Sequence, residues 1–187
     1  MLSRMQNRIT VVLEDITRQR VDAIVNAANS ALLGGGGVDG AIHRAAGSQL
    51  LEACRELGGC PTGEVRITPG FRLPAKWVIH AVGPVWRGGN DGEDEMLTRC
   101  YRNSLALATR HAIRTLAFPQ ISTGAYGFPI RRAAAIAIAE ISGYVAKQTD
   151  IDEVRCVCFS EEALAAVQDA LAQTPSRNAL ACNGRIT

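Results

Sequence analysis

A chain of 187 residues, 47% hydrophobic but only 5% aromatic, is long enough for one domain whose core is built from Ala, Val, Ile and Leu. That balance suits helices lying on a sheet and argues against an aromatic-rich β-sandwich. The formal net charge is +2 and the longest basic cluster is Arg131-Arg132, so no stripe for a nucleic-acid backbone is visible.

The opening "MLSRMQNR" lacks the apolar run of a signal peptide, and no stretch approaches the roughly 20 apolar residues of a membrane span. "RITVVLED" reads as a first strand and "VDAIVNAAN" as a second, with the Ala and Val runs of strands covered on both faces. One helix is expected from about Asp39 to Leu57. "EVRITPG" and "WVIHAVG" are short strands bounded by Gly and Pro. A helix from about Asp94 to Ala112 places Leu97, Tyr101, Leu105 and Ala108 on one face. "TLAFPQIS" is a strand closed by the loop "TGAYGFP", and "IRRAAAIAIAEISGYVAKQ" is a helix. "VRCVCFS" is the last strand and Glu161 to Ala172 the last helix. The expected fold is therefore α/β, a three-layer α/β/α sandwich with a central mixed sheet over residues 1–173. Residues 174–187 have no periodicity and read as a loose tail. The six cysteines lack paired zinc spacing and read as buried free thiols, which suits a reducing, cytoplasmic setting.

"NAANSALLGGGGVDGAIHRAAG", Asn26 to Gly47, is the unusual stretch. Four consecutive glycines cost much backbone entropy on folding, and polar residues flank them on both sides. In such folds ligands sit outside the carboxyl ends of the strands. The second strand ends near Asn26 and Asn29, a later one at "STGAYG", and the last at Phe159. Two of these segments are glycine loops running into helix N-termini, where exposed N–H groups cradle phosphate oxygens. A diphosphate would occupy both. Gly35, Gly37 and Gly40 also spell G-x-G-x-x-G, but after the second strand and without the acidic residue that would hold a ribose, so a nicotinamide dinucleotide is disfavoured.

Together with "WVIHAVGPVW" and "ISTGAYGFP", this stretch resembles the signatures of macrodomains of the MacroD type, whose bacterial members are O-acetyl-ADP-ribose deacetylases. The similarity runs from about Ile9 to Leu171. It implies an ADP-ribose site and a hydrolase that cleaves the acetyl ester of O-acetyl-ADP-ribose. It extends to enzymes that remove mono-ADP-ribose from acidic side chains of proteins. The resemblance assigns Asp15 to the adenine amino group, Ile16 to the ring and Phe159 to stacking on it. It assigns Gly36, Gly37 and Val38 to one phosphate loop, and Ser122, Thr123, Gly124, Ala125, Tyr126 and Gly127 to the other. Tyr126 would close over the distal ribose. Asn29, Asp39 and His43 would surround the scissile bond, and Asn26 would be a structural neighbour. One position departs from the pattern: Glu14 stands where the family usually has Gly.

Asp39 and His43, four apart, are neighbours on one helical face and could position and deprotonate water. A helix N-terminus lowers the basicity of a carboxylate, so Asp39 is a better water orienter than strong base. Each residue also has a plainer reading: Asp39 as a helix N-cap, Asn29 as a turn residue, His43 as donor to a carbonyl, and Tyr126 and Phe159 as core aromatics. The alternative function is a module that reads ADP-ribose without cutting it. Neither a metal nor a cofactor is expected. The expected partners are ADP-ribose derivatives, free or on proteins, with no membrane and no nucleic acid.

Overall fold

The computed structural model describes residues 8–174; the expected loose tail, from Pro175 on, lies outside them. Within them, β1 (Ile9–Leu13), β2 (Ala23–Ala28), β3 (Val65–Pro69), β4 (Trp77–Val82), β5 (Thr115–Phe118) and β6 (Glu153–Cys158) form one sheet. The strand order is β1-β6-β5-β2-β4-β3. Neighbours run parallel except β3, which pairs antiparallel with β4 at one edge. Pro69 closes that edge strand, where its missing N–H costs no ladder bond.

Five helices complete the described residues: α1 (Gly37–Ala46), α2 (Ser48–Leu57), α3 (Glu93–Arg110), α4 (Ile130–Lys147) and α5 (Glu161–Gln173). The strands' period of two divides their apolar residues between two cores. Ala23, Val25, Ile79, Ala81, Leu116 and Phe118 pack under α3, α4 and α5. Ile24, Ala28, Val78, Val82 and Ala117 pack under α1, α2 and the 3-10 turn Ile16–Arg18. The result is the expected α/β/α sandwich. Alanines make the α4 contact close: Ala133, Ala134 and Ala137 are buried beside Ile138, Ile141 and Val145.

Two boundaries differ from the sequence reading. The helix expected over Asp39 to Leu57 is two helices, because Gly47 sits at φ 88°, a left-handed value that ends α1 and starts α2. The Gly47 N–H still bonds the His43 carbonyl. β5 stops at Phe118 rather than Ser122, since Pro119 has no N–H to continue the ladder. The five described cysteines are free and buried. Among the described residues, no helix is long and apolar enough to cross a membrane.

Candidate active site

The carboxyl ends of β1, β2, β4, β5 and β6 open into a cleft of about 690 Å³. Its walls bring together Asp15 and Ile16 after β1, Asn29 after β2, Gly83 after β4, residues 119–126 after β5 and Phe159 after β6. Gly36, Gly37, Val38 and Asp39 enter from the start of α1. Of the residues to which the resemblance gave a place, Asn26, His43 and Gly127 do not line it.

Two helices present unoccupied N-termini here. The N-caps of α1 and α4 are Gly36 and Pro129, neither of which supplies a side-chain cap bond. The first N–H groups of both helices are therefore without side-chain acceptors, and the helix dipoles favour an anion beside them. α5 differs, because Ser160 accepts from the Ala163 N–H. In the second loop, Ser122 is held at φ 66°, unusual for a residue with a side chain, and its buried Oγ has no hydrogen-bond partner. Gly83 permits that packing: a Cβ on it would stand 2.2 Å from Ser122 Oγ.

Asp39 is the third residue of α1, not its N-cap, which removes the plain capping reading. The residue is only 4% exposed, yet it borders the cleft. Oδ1 accepts from Asn26 Nδ2 at 2.7 Å and lies 3.5 Å from His43 Nε2. Oδ2 is buried without a hydrogen-bond partner. This oxygen and the Asn29 amide nitrogen both face the bare backbone of Gly35: a Cβ there would meet Asp39 Oδ2 at 3.1 Å and Asn29 Nδ2 at 3.3 Å. The same Asn29 amide donates to the Gly34 carbonyl at 2.8 Å, and its oxygen accepts from the Ala31 and Leu32 N–H groups. Asn29 thus serves as the expected turn residue and still carries a second N–H. His43 does not line the cleft, and its Nε2, 3.5 Å from Asp39 Oδ1, makes no hydrogen bond.

The Macro domain family model matches residues 25–137 of this chain. The chain belongs to the macrodomain family. A macro domain-containing protein of Chlorobaculum tepidum is 63% identical over 88% of this chain and 95% of its own length. A protein of Escherichia fergusonii named O-acetyl-ADP-ribose deacetylase is 53% identical, over 84% of this chain and 92% of its own length. Among solved structures, an Oceanobacillus iheyensis macrodomain with ADP matches with a TM-score of 0.83 at 47% identity, covering 87% of this chain and 88% of that one. A Trypanosoma brucei macrodomain in complex with ADP-ribose matches with a TM-score of 0.85 at 40% identity, covering 90% and 71%.

At the other end of this macrodomain's cleft, Phe159 is 94% exposed, which overturns its reading as a core aromatic. Asp15 caps the 3-10 turn: Oδ1 accepts from the N–H and hydroxyl of Thr17 at 2.8 and 2.7 Å. The Thr17 hydroxyl bond, helped by the Thr17 N–H and Arg18 against some desolvation, holds the Asp15 carboxyl below its usual range. Glu14 neither extends freely nor crosses the cleft. Its Oε2 accepts from Gln19 Nε2 at 2.6 Å, and Gln19 Oε1 accepts from Arg155 at 3.3 Å. The departure from the family glycine is thereby tied down at the cleft's edge.

Sequence reasoning missed the support beneath the second loop. The Trp86 N–H bonds the Tyr126 carbonyl at 2.8 Å, and the Trp86 ring lies 4.7 Å from Phe128 and under Arg132. Residues 87–91 are gathered by one carboxylate, Glu93, which accepts from the N–H groups of Arg87, Gly89 and Asp91. Burial would raise the Glu93 carboxyl, but these backbone donors prevail and hold it down at about 2. A depressed carboxylate contributes stability that is present above its unfolded value of 4.5 and is lost as pH falls toward 2. The parent protein is therefore expected to lose melting temperature over that window more steeply than Glu93→Gln, measured by circular dichroism; parallel curves would remove this role.

Proposed function

We propose that this macrodomain is a hydrolase that binds ADP-ribose and cleaves the acetyl ester of O-acetyl-ADP-ribose by attack of a positioned water. The observation that carries the proposal is Asp39 Oδ2, buried and without a partner, on a residue that shares the cleft wall and the bare Gly35 backbone with the Asn29 amide. A carboxylate oxygen and an amide N–H on the same stretch of cleft wall suit a water that must be both held and relieved of a proton. Asn29 and Asp39 take that part. His43 supports Asp39 from behind rather than touching the substrate. The ester's acyl carbon gains the water oxygen, the ribose hydroxyl leaves, and acetate and ADP-ribose are the products. The same geometry fits ADP-ribose esters on acidic side chains, since these present the same bond to the same water.

Binding divides along the cleft. Phe159 stacks on adenine, Asp15 accepts from its amino group and Ile16 packs on the ring. The diphosphate lies between Gly36, Gly37 and Val38 on one side and Ser122, Thr123, Gly124, Ala125, Tyr126 and Gly127 on the other, held chiefly by backbone N–H groups. The O. iheyensis and T. brucei macrodomains, solved with ADP and with ADP-ribose, support this assignment. Among the described residues, no group of three or more His, Cys, Asp or Glu could hold a metal ion, and the proposed chemistry uses none.

Phe159 offers a clean test of the binding half, because a side chain so exposed contributes nothing to the core. Phe159→Ala should keep the parent melting temperature and weaken ADP-ribose binding by about 1–3 kcal/mol, the usual loss of a base–aromatic stack. Calorimetry showing parent affinity in that variant would remove Phe159 from the adenine site.

A further inference from the structure

Two polar side chains interrupt the apolar central strands, and both are fully buried: Asn26 on β2 and His80 on β4. They are directly paired in the parallel register. From them a chain of contacts runs across the sheet. Asn26 Nδ2 lies 2.7 Å from Asp39 Oδ1 and 3.2 Å from His80 Nδ1, and His80 Nε2 lies 2.9 Å from Thr68 Oγ1 on β3. Cys54 Sγ, on α2, is 3.7 Å from the same ring nitrogen. Burying so many polar groups is costly unless their donors and acceptors match.

The protons can be assigned. Asn26 Nδ2 faces two atoms and has two hydrogens, so Asp39 Oδ1 and His80 Nδ1 are both acceptors. His80 must then carry its proton on Nε2, which donates to Thr68 Oγ1. Burial first, and His43 second, hold the imidazole neutral by lowering its value to about 3. Burial and the Asp39 carboxylate raise the Cys54 thiol to about 11, so that neighbour is neutral too. Reversing the Asn26 amide would set its oxygen against Asp39 Oδ1, an arrangement compatible only with a protonated Asp39.

We infer that His80 and Asn26 are positioning residues for the hydrolytic centre: the His80 Nδ1 acceptor fixes the Asn26 amide so that it holds Asp39 Oδ1 and leaves Oδ2 to the water. The inference rests on the hydrolase reading given above for Asp39. It also explains why β2 and β4 each accept one polar residue in an otherwise apolar strand. Thr68 accepts the Nε2 proton of His80, the His80 Nδ1 acceptor keeps the amide, and the amide keeps the carboxylate. The titratable groups facing Asp39 and Asn26 are His43 on α1, His80 on β4 and Cys54 on α2.

The experiment combines three variants with a spectrum that needs no activity. His80→Asn retains an acceptor near the place of Nδ1, whereas His80→Leu removes it. His80→Leu should lose kcat on O-acetyl-ADP-ribose on the order of 10²-fold, as a misplaced catalytic group does, while ADP-ribose affinity stays within a few fold. His80→Asn should recover most of that loss. Asn26→Asp sets a second carboxylate against Asp39, so the pair shares a proton and the acid limb of the pH–rate profile should rise by about one unit or more. Equal losses in the two His80 variants, or an unmoved acid limb in Asn26→Asp, would overturn the inference. If His80→Leu does not fold, the other two variants decide. If the parent protein binds ADP-ribose but hydrolyses nothing, the hydrolase reading fails by itself. The positioning network is then judged by ¹⁵N spectra of the imidazole in the parent. A single neutral Nε2–H tautomer across neutral pH upholds it, and an Nδ1–H or charged ring overturns it.

Discussion

Asp39→Ala is expected to lower turnover of O-acetyl-ADP-ribose by roughly 10²–10⁴, the range for losing a positioned base or water orienter. Affinity for ADP-ribose should change only a few fold, because the adenine and diphosphate contacts proposed above use other residues of the cleft. The separation follows from the geometry. Asp39 commits one oxygen to Asn26 and keeps the other unpartnered, on a residue that borders the cleft. Asn29→Ala should act in the same direction, with an added loss of loop order because its amide also ties Gly34, Ala31 and Leu32. The two residues serve one water, so the double variant should lose less than the product of the single losses. Steady-state kinetics beside calorimetry on the three variants checks this. Parent-rate turnover by Asp39→Ala would move the catalytic group to another part of the cleft.

Gly40→Ala, near the start of α1, should be a strongly damaging single-methyl change for the proposed phosphate loop. A Cβ on Gly40 would stand 2.4 Å from the Gly35 carbonyl oxygen, a backbone atom that can yield only if the loop moves. The helix would have to leave the loop, and the N–H groups of Gly36 and Gly37 would leave the diphosphate. Each charge-assisted hydrogen bond lost is worth about 1.5–3 kcal/mol, or roughly 10- to 100-fold in affinity. Overpacking should destabilise the fold by about 1–3 kcal/mol as well. Gly143→Ala is the matched control, since a Cβ there meets nothing within 4 Å on the helix α4. Unchanged ADP-ribose binding in Gly40→Ala would mean that the first glycine loop is not the cradle.

The layered fold was legible because its signals are local. Alternating apolar residues mark the strands, and the Ala-rich stripe of α4 marks a helix that packs closely. Boundaries were less legible: "RAAGSQ" reads as uninterrupted helix until Gly47 is seen in the left-handed region, and a φ value is not written in composition. The glycine loops stood out because glycine-dense segments beside few polar residues are rare, whereas Asn29, Asp39 and Phe159 were marked by the family resemblance, and all three line the cleft. His80 and Asn26 were passed over as a pair because their partnership is a matter of register between β2 and β4, two strands some fifty residues apart. A usable signal existed: each is the one polar residue in an otherwise apolar strand, AIVNAA and WVIHAV. Glu93 left no such trace, since its three partners are backbone N–H groups, which any sequence supplies.

Hydrolysis of O-acetyl-ADP-ribose by the purified protein in H₂¹⁸O, followed by mass spectrometry of both products, tests the central claim most directly. Attack of the Asp39-held water on the acyl carbon predicts rapid formation of unlabelled ADP-ribose and of acetate carrying one heavy oxygen, with both lost in Asp39→Ala. ADP-ribose that binds tightly while the ester persists at the background rate would contradict the account, and would make this macrodomain a reader of ADP-ribose instead of a hydrolase.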